Sequence, residues 1–579
     1  MPTDCISYQK SGYFSKLIVD YLDKKPELKE LYNYFPSIEN FKHQIEEKNH
    51  NFKNNDKRKI LVDALKKQYT NFEISELTQK NIALLENEKT FTITTGHQLN
   101  LFTGPLYFLY KIVSTINLCK ELKRNYPEYN FVPIYWMATE DHDFEEINHF
   151  NFKGKKLSWN TASKGAVGRL STKSLTNFFT VFKAELGLSN NAEYIKKLFS
   201  DSYLQHSNLA DATRFLANKL FGKYGFVFFY GDAAALKKKI IPIKKLFSDS
   251  YLQHSNLADA TRFLANKLFG KYGLVILDGD AAALKKQFIP YIKDELLYQN
   301  SNKKVLESIA KLKDYSIQVN PREINLFYIE ANLRERIIYE NGNYKVNNTF
   351  ISFSETEILK LVDANSEKFS PNVILRPLYQ EVILPNLAYI GGGGEIAYWL
   401  ELKAMFDFHK VTFPILLVRN SAVLINEKQE KNRQKLNITW QELFLKQQVL
   451  IDAKTKEYSE IKIDFSEQKA HLKKQFEALH QIALKTDKSF SGAVKAQEKK
   501  QTKGLDNLEK RLLKAEKKMH SEKLKKIIEL QNNLFPNESL QERKSNFSEI
   551  YVEIGEELIN KISDQLHPLA ATFSIIKHA

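Results

Sequence analysis

Between Thr90 and Ala138 the chain runs strand, glycine turn, helix, strand, and this succession constrains the fold more than any other feature. Thr90–Thr95 (TFTITT) is β-branched and aromatic, as strands are, and stops at Gly96. Gly104-Pro105 then opens a stretch of helical periodicity from Leu106 to Lys123, with proline at the first turn, where its missing N–H costs nothing. Phe131–Ala138 (FVPIYWMA) is a second strand. A strand, a crossover helix and a strand imply parallel pairing. Further strands are expected at Leu274–Leu277 (LVIL), Val373–Leu375, Leu387–Ile390 and Phe413–Val418. Several run into polar or glycine-rich residues: Asp278-Gly279-Asp280, Gly391–Gly394 before a helix Glu395–Phe406, and Arg419-Asn420. In an open parallel sheet the carboxyl edge is where ligands bind. Residues 89–420 therefore read as a doubly wound α/β core with helical insertions.

The flanks read differently. Residues 1–88 are expected to be mainly helical and to pack on the core. Residues 421–535 are rich in Lys, Glu, Gln and Leu. Leu472, Phe476, Leu479 and Ala483, and later Leu505, Leu508, Leu512, Ala515 and Met519, step by three and four, which is a coiled-coil seam. A break near Ser489–Gly492 would make the two helices an antiparallel hairpin. Residues 536–579 are expected to form a final helical segment. With 579 residues, two or three domains are expected.

Ile195–Gly225 is identical to Ile243–Gly273, and the likeness runs on to Pro242 and Pro290 with six differences. Solenoid repeats drift and stack in larger numbers. Two near-identical copies are a duplication, and no function is assigned to the repetition.

The net charge of +16 suits an anionic partner. The basic residues are spread along the chain, so a lysine-rich solvated surface explains the charge equally well. Residues 491–530 are basic too, and on a coiled coil that is ordinarily a solvated face rather than an RNA-binding one. Two cysteines, Cys5 and Cys119, exclude a disulfide scaffold and fit a reducing cytoplasm. Met1–Leu17 lacks the apolar run of a secretory signal, and no window approaches the ~18 apolar residues of a membrane span. GxxxxGK[ST], GxGxxG and GxSxG patterns are all missing.

Three constellations are candidates for chemistry. In the first, Thr94–Gln98 (TTGHQ) with Thr103 and Gly104, the turn N–H groups favour an anion and His97 adds a charged or neutral donor. In the second, Thr139–Glu146 (TEDHDFEE), the carboxylates suit an amine, a metal or a sugar hydroxyl, and His142 can exchange a proton. In the third, Arg376 can clamp a carboxylate or phosphate, close to Gln380, the Gly391–Gly394 run, Glu395 and Tyr398. Each has a plain alternative: a solvated turn, a helix N-terminal acidic cluster, and a glycine loop with a surface salt bridge. The first two follow successive strands of one βαβ unit, which favours a functional reading. No metal set is assigned.

The runs TGHQLNLFTGPLYFLYK, PIYWMATEDHDFEEINH and NVILRPLYQEVILPNLAYIGGGGEIAYWLELK, with SLQER at 539–543, resemble the cysteine-adding (cysteine ligase) family of bacillithiol biosynthesis. The resemblance implies a Rossmann-like core and a dimer-forming coiled coil. It implies an enzyme that joins cysteine to glucosaminyl-malate through an amide, a carbon–nitrogen ligase. Such a reaction needs an activated carboxyl. ATP is the evident source, and the residues select neither ATP nor any other cofactor. Under this resemblance Gly96, Gln98, Thr103 and Gly104, with His97, would cradle an anionic group. Asp141, His142 and Asp143 would hold an amine or sugar and move a proton. Arg376 and Gln380 would bind malate carboxylates or a phosphate, and Gly393, Glu395 and Tyr398 would shape the pocket. The rival class is a basic coiled-coil scaffold or nucleic-acid-binding protein with an inactive α/β domain. The repeat departs from the family pattern, and the LVILDGD of its second copy fits that pattern better than the FVFFYGD of the first.

Overall fold

A computed structural model describes residues 4–53, 55–70, 75–160, 165–170, 175–186, 188–200, 272–555 and 557–578. It divides into two units, one of Met1–Gln9, Tyr13–Leu424 and Gln541–Ala579, the other of Lys10–Gly12 and Ile425–Leu540.

The first unit is built on five strands: β1 (Thr90–His97), β2 (Asn130–Met137), β3 (Val275–Asp278), β4 (Asn386–Gly391) and β5 (Ile415–Val418). They lie in the order β5-β4-β1-β2-β3, all parallel. Nearly every residue in them is buried, as expected of a sheet covered on both faces. β1 is unusually rich in threonine for such a place, and its hydroxyls are satisfied locally. Thr92 and Thr94 donate to Asn386 Oδ1 at 3.2 and 2.8 Å, and Thr95 donates to the Ile390 carbonyl at 2.8 Å. Helix α1 (Tyr107–Asn125) crosses from β1 to β2. The turn before it places Phe102, Thr103 and Gly104 at positive φ, and a Cβ on Gly104 would meet the Asn100 side chain at 2.6 Å.

Two expectations are corrected between β3 and β4. The insertion there is not purely helical. It carries an antiparallel sheet ordered Ser352–Phe353, Asn343–Val346, Leu333–Glu340, Leu326–Glu330, Phe369–Pro371. Asn341-Gly342, both at positive φ, form the tight turn between two of these strands. Val373–Leu375 is not a strand either. Asn372 Oδ1 accepts from the N–H groups of Ile374 and Leu375 and starts helix α2 (Leu375–Ile383), with Pro377 in its first turn. After β4 comes α3 (Gly393–Leu400), which breaks before a separate helix Lys403–Phe408.

The N-terminal stretch is helical apart from Cys5–Ser7, which pairs antiparallel with Thr572–His578. The last segment is therefore not wholly helical, because Thr572–His578 is a strand in the first unit.

Of the repeat, β3 belongs to the second copy; the corresponding stretch of the first, 226–230, lies outside the described residues. Asp278 ends β3 and accepts from the Thr139 hydroxyl at 2.6 Å, whereas the first copy has Tyr230 there.

In the second unit, α4 (Ser466–Ala483) and α5 (Lys488–Met519) form a hairpin. Lys469 meets Asp506 and Glu509 at 2.7 Å, while His480 meets Glu498 at 2.8 Å, so the helices run antiparallel. The turn is at 484–487, where Asp487 caps α5, and not at Ser489–Gly492, which is helical. Phe476, Ala483 and Val494 are packed with Leu472, whereas Leu508 and Met519 are 52% and 77% exposed.

Candidate active site

The chain leaves β1 for β2 on one side and β4 for β5 on the other, so β1 and β4 flank the point where the strand order reverses. Adjacent loops diverge there and leave a crevice at the carboxyl edge. A cavity of about 610 Å³ lies at this place. It unites Gly96, His97, Gln98, Asp141, His142, Arg376, Glu395 and Tyr398, residues from all three sequence constellations. Thr103, Gly104, Asp143, Gln380 and Gly393 do not line it.

His97 ends β1. Its ring packs against Tyr107 and Phe108, and its Nε2 is buried without a partner. Burial, reinforced by the positive charges of Lys111 and Arg419, pushes the imidazole well below the usual histidine range; a hydrogen bond to the Thr103 backbone opposes this. His97 is thus a neutral ring, not a cationic donor. Thr103 contributes through its backbone, from a turn that Asn546 pins by donating to the Phe102 and Gly104 carbonyls. The shift has a stability consequence. Below about pH 6.5 the unfolded chain takes up a proton on this histidine that the folded chain refuses, so stability falls as pH falls. From pH 6.5 to 5.5 the ring's share is about 1 kcal/mol. His97→Asn is expected to lose that share of the pH dependence, read from urea midpoints at the two pH values. Equal midpoint shifts in variant and parent would contradict it.

The acidic turn after β2 is tied to β1. Gln98 donates to Asp141 Oδ2 at 2.7 Å and to Glu146 Oε2 at 2.8 Å, bridging the two carboxylates. Asp143 instead caps the helix Phe144–Ile147. Burial pushes the Glu140 carboxyl up against the pull of Lys285, which it meets together with Asp280. Among the described residues no group of three or more His, Cys, Asp or Glu is placed to hold a metal.

Around β4 the charged lining residues are Arg376, Glu395 and, from α1, Lys111. Arg376, on α2, donates to Gln380 Oε1 at 3.2 Å and to the Tyr398 hydroxyl at 3.0 Å. Gln380 itself is fully buried, so it orients Arg376 and does not reach a ligand. Glu395 accepts from Gly392 N at 2.9 Å and from the Tyr389 hydroxyl at 2.7 Å, and pairs with Lys111 at 2.5 Å. Burial works to raise Glu395, but Lys111 and these bonds hold it below the usual carboxylate range. Glu395 thus occupies the N-cap N–H of α3 with its own carboxylate, and Gly393 packs beside Phe14 and Ile18.

Several lining residues escaped the sequence reading. Lys111 sits on the buried face of α1, and a lysine among buried apolar positions was the available signal. Arg334 and Phe327 come from the antiparallel sheet, whose Asn341-Gly342 turn was legible. Arg419, marked in the sequence only as a polar strand end, follows β5 and pairs with Glu542 at 2.7 Å; the SLQER run supplies both Glu542 and the cavity-lining Arg543. Six basic side chains, with Arg322, face four acidic ones (Glu140, Asp141, Glu146, Glu395), so the cavity favours an anion while keeping an acidic corner for an amine.

Comparison with known proteins agrees with this architecture. A family model described as "Bacillithiol biosynthesis BshC, N-terminal Rossmann-like domain" matches residues 1–245 and 241–420, two stretches that meet inside the repeat. The BshC C-terminal coiled-coil domain matches residues 422–578. Proteins named "Putative cysteine ligase BshC" align along the whole chain. That of Flavobacterium psychrophilum is 92% identical over 579 residues and that of Flavobacterium johnsoniae 60% over 576, each with 100% of both chains covered. The relative from Bacillus cereus is 26% identical over 557 residues, covering 95% of each chain. The chain belongs to the BshC family of bacillithiol biosynthesis.

Proposed function

We propose that this BshC-family chain is a cysteine ligase that joins the carboxyl of cysteine to the amine of glucosaminyl-malate in the cavity at the β1/β4 crevice, forming an amide. The observation that carries this reading is the convergence of three sequence-distant runs on one cavity with a surplus of basic side chains and an acidic corner. Malate is a dicarboxylate, and Arg376, held by Gln380 and Tyr398, presents a fixed fork to one of its carboxylates. Asp141 and Glu146, bridged by Gln98, offer the negative charge that an amine or ammonium seeks. A free carboxylate is a poor electrophile, so one of its oxygens must become a leaving group before the nitrogen attacks. A nucleoside triphosphate is the evident activator, and the same basic surplus suits its phosphates.

The test is to incubate the full chain with cysteine and glucosaminyl-malate, with and without ATP, and read products by mass spectrometry. The expected product has the summed mass of the two substrates less one water. No such product under either condition would overturn the reading.

The working form is a cytoplasmic homodimer in this proposal. Two free cysteines suit a reducing compartment, and no described helix is long and apolar enough to cross a membrane. Leu508 and its neighbours on α5 leave an apolar seam that the hairpin does not cover, and a second copy would cover it. Light scattering is expected to give twice the 67.3 kDa chain mass for the parent, and a single chain mass for Leu508→Lys/Leu512→Lys. A monomeric parent at micromolar concentration would refute the dimer.

A further inference from the structure

The two histidines of the cavity are both held through Nδ1, but by partners of opposite kind, so their ring protons sit on different nitrogens. His97 has its Nε2 buried and unpartnered, so its backbone hydrogen bond to Thr103 runs from Nδ1. His142 is half exposed in the cavity wall, and its Nδ1 lies 2.7 Å from an Arg334 guanidinium nitrogen. A guanidinium only donates hydrogen bonds. His142 Nδ1 must therefore supply the lone pair, and the ring proton must sit on Nε2.

We propose that Arg334 is a positioning residue that fixes His142 as an Nε2–H donor to substrate, so that His142 acts by donating a hydrogen bond and not as a base. Arg334 is well held for this. Its guanidinium lies 3.9 Å from the Phe327 ring centroid, and its Nε and Nη2 each reach Ser370 Oγ at 3.4 Å. The carboxylates of Glu140, Asp141 and Asp280 balance its charge. Asp141 is the competing partner for Nδ1, but its Oδ1 is 3.7 Å away and already accepts from the N–H groups of His142 at 2.7 Å and Asp143 at 3.3 Å. The antiparallel insertion thus takes part in the chemistry by delivering Arg334 to the turn after β2.

The inference deepens the ligase reading and rests on it for the donor's target. When an amine attacks an activated acyl carbon, negative charge develops on the acyl oxygen, and a fixed N–H stabilises that charge where a lone pair does not.

Two measurements on the full chain test it. In the first, NMR of histidine-labelled protein, with the His142 signals assigned by their loss in His142→Gln, reads the tautomer without any turnover. The Nε2–H form is expected in the parent, and a mixture of tautomers in Arg334→Met. An Nδ1–H form in the parent, or an unchanged tautomer in Arg334→Met, overturns the proposal. In the second, product formation is measured. His142→Gln keeps a donor and is expected to remain within about tenfold of the parent, while His142→Ala loses about 10²–10³-fold in kcat. Arg334→Met is expected to lower kcat about tenfold or more with KM little changed, and to cause no further loss in the His142→Gln background. Equal losses in His142→Gln and His142→Ala, or additive losses in the double variant, overturn it. Should the parent make no product, the ligase reading fails on that assay while the tautomer is still decided by NMR.

Discussion

Replacing Glu542 by alanine is expected to destabilise the first unit by about 3–5 kcal/mol, the usual cost of removing one partner from a buried ion pair. Glu542 is fully buried and Arg419 nearly so. One carboxylate oxygen accepts from Arg419 at 2.7 Å and from the Ser421 hydroxyl at 3.0 Å; the other accepts from the Ala422 N–H at 3.0 Å. Alanine would strand all three donors, and Arg419 Nε already lacks a partner. Next to it, Gln541 exchanges two hydrogen bonds with the Leu424 backbone, so this run fastens the chain after β5. Glu542→Gln keeps an acceptor and should cost less. Equilibrium unfolding measures both, and a loss below about 1 kcal/mol in Glu542→Ala would contradict the account.

Arg376→Gln is expected to lower kcat/KM for glucosaminyl-malate by about 10²–10³-fold, the effect of losing a charge-assisted clamp of roughly 3–4 kcal/mol. The loss should fall on that substrate and spare the KM for cysteine, because the fork is assigned to malate. A glucosaminyl substrate lacking the malate carboxylates should be handled alike by parent and variant. If the variant discriminates between the two substrates as strongly as the parent does, Arg376 does not read the malate.

The parallel core was legible because its strands are short, apolar and stopped by glycine or polar residues. TFTITT, FVPIYWMA and LVIL announced β1, β2 and β3 within a residue or two. Their order was not legible, since it depends on long-range pairing such as Thr94 to Asn386, which no local pattern encodes. The antiparallel insertion was missed although Asn341-Gly342 marks a hairpin, because its longest strand, LRERIIYE, alternates charge where apolar residues were sought. At the site, the strand-end rule found the residues at the ends of β1 and β2 and the helix after β4. It overreached at Thr103, Gly104, Asp143 and Gln380, which hold the site in place through a backbone contact, a turn, a helix cap and a buried amide. It marked Arg419 at a strand end without giving it a role, and it could not find Lys111 or Arg334, whose roles come from packing and not from sequence neighbours.

The central claim is that chemistry occurs in the β1/β4 crevice. Asp141→Asn tests it most directly, because the change is isosteric and leaves an oxygen to accept from the two backbone N–H groups, while it removes the negative charge and the oxygen that accepts from Gln98. The measurement is product formation by the folded variant beside the parent, followed by mass spectrometry at saturating cysteine and glucosaminyl-malate. The account predicts a variant with parental unfolding behaviour and mass in solution that has lost most of its turnover, about 10²-fold or more. Parental turnover in Asp141→Asn would contradict it and place the reaction elsewhere in the molecule.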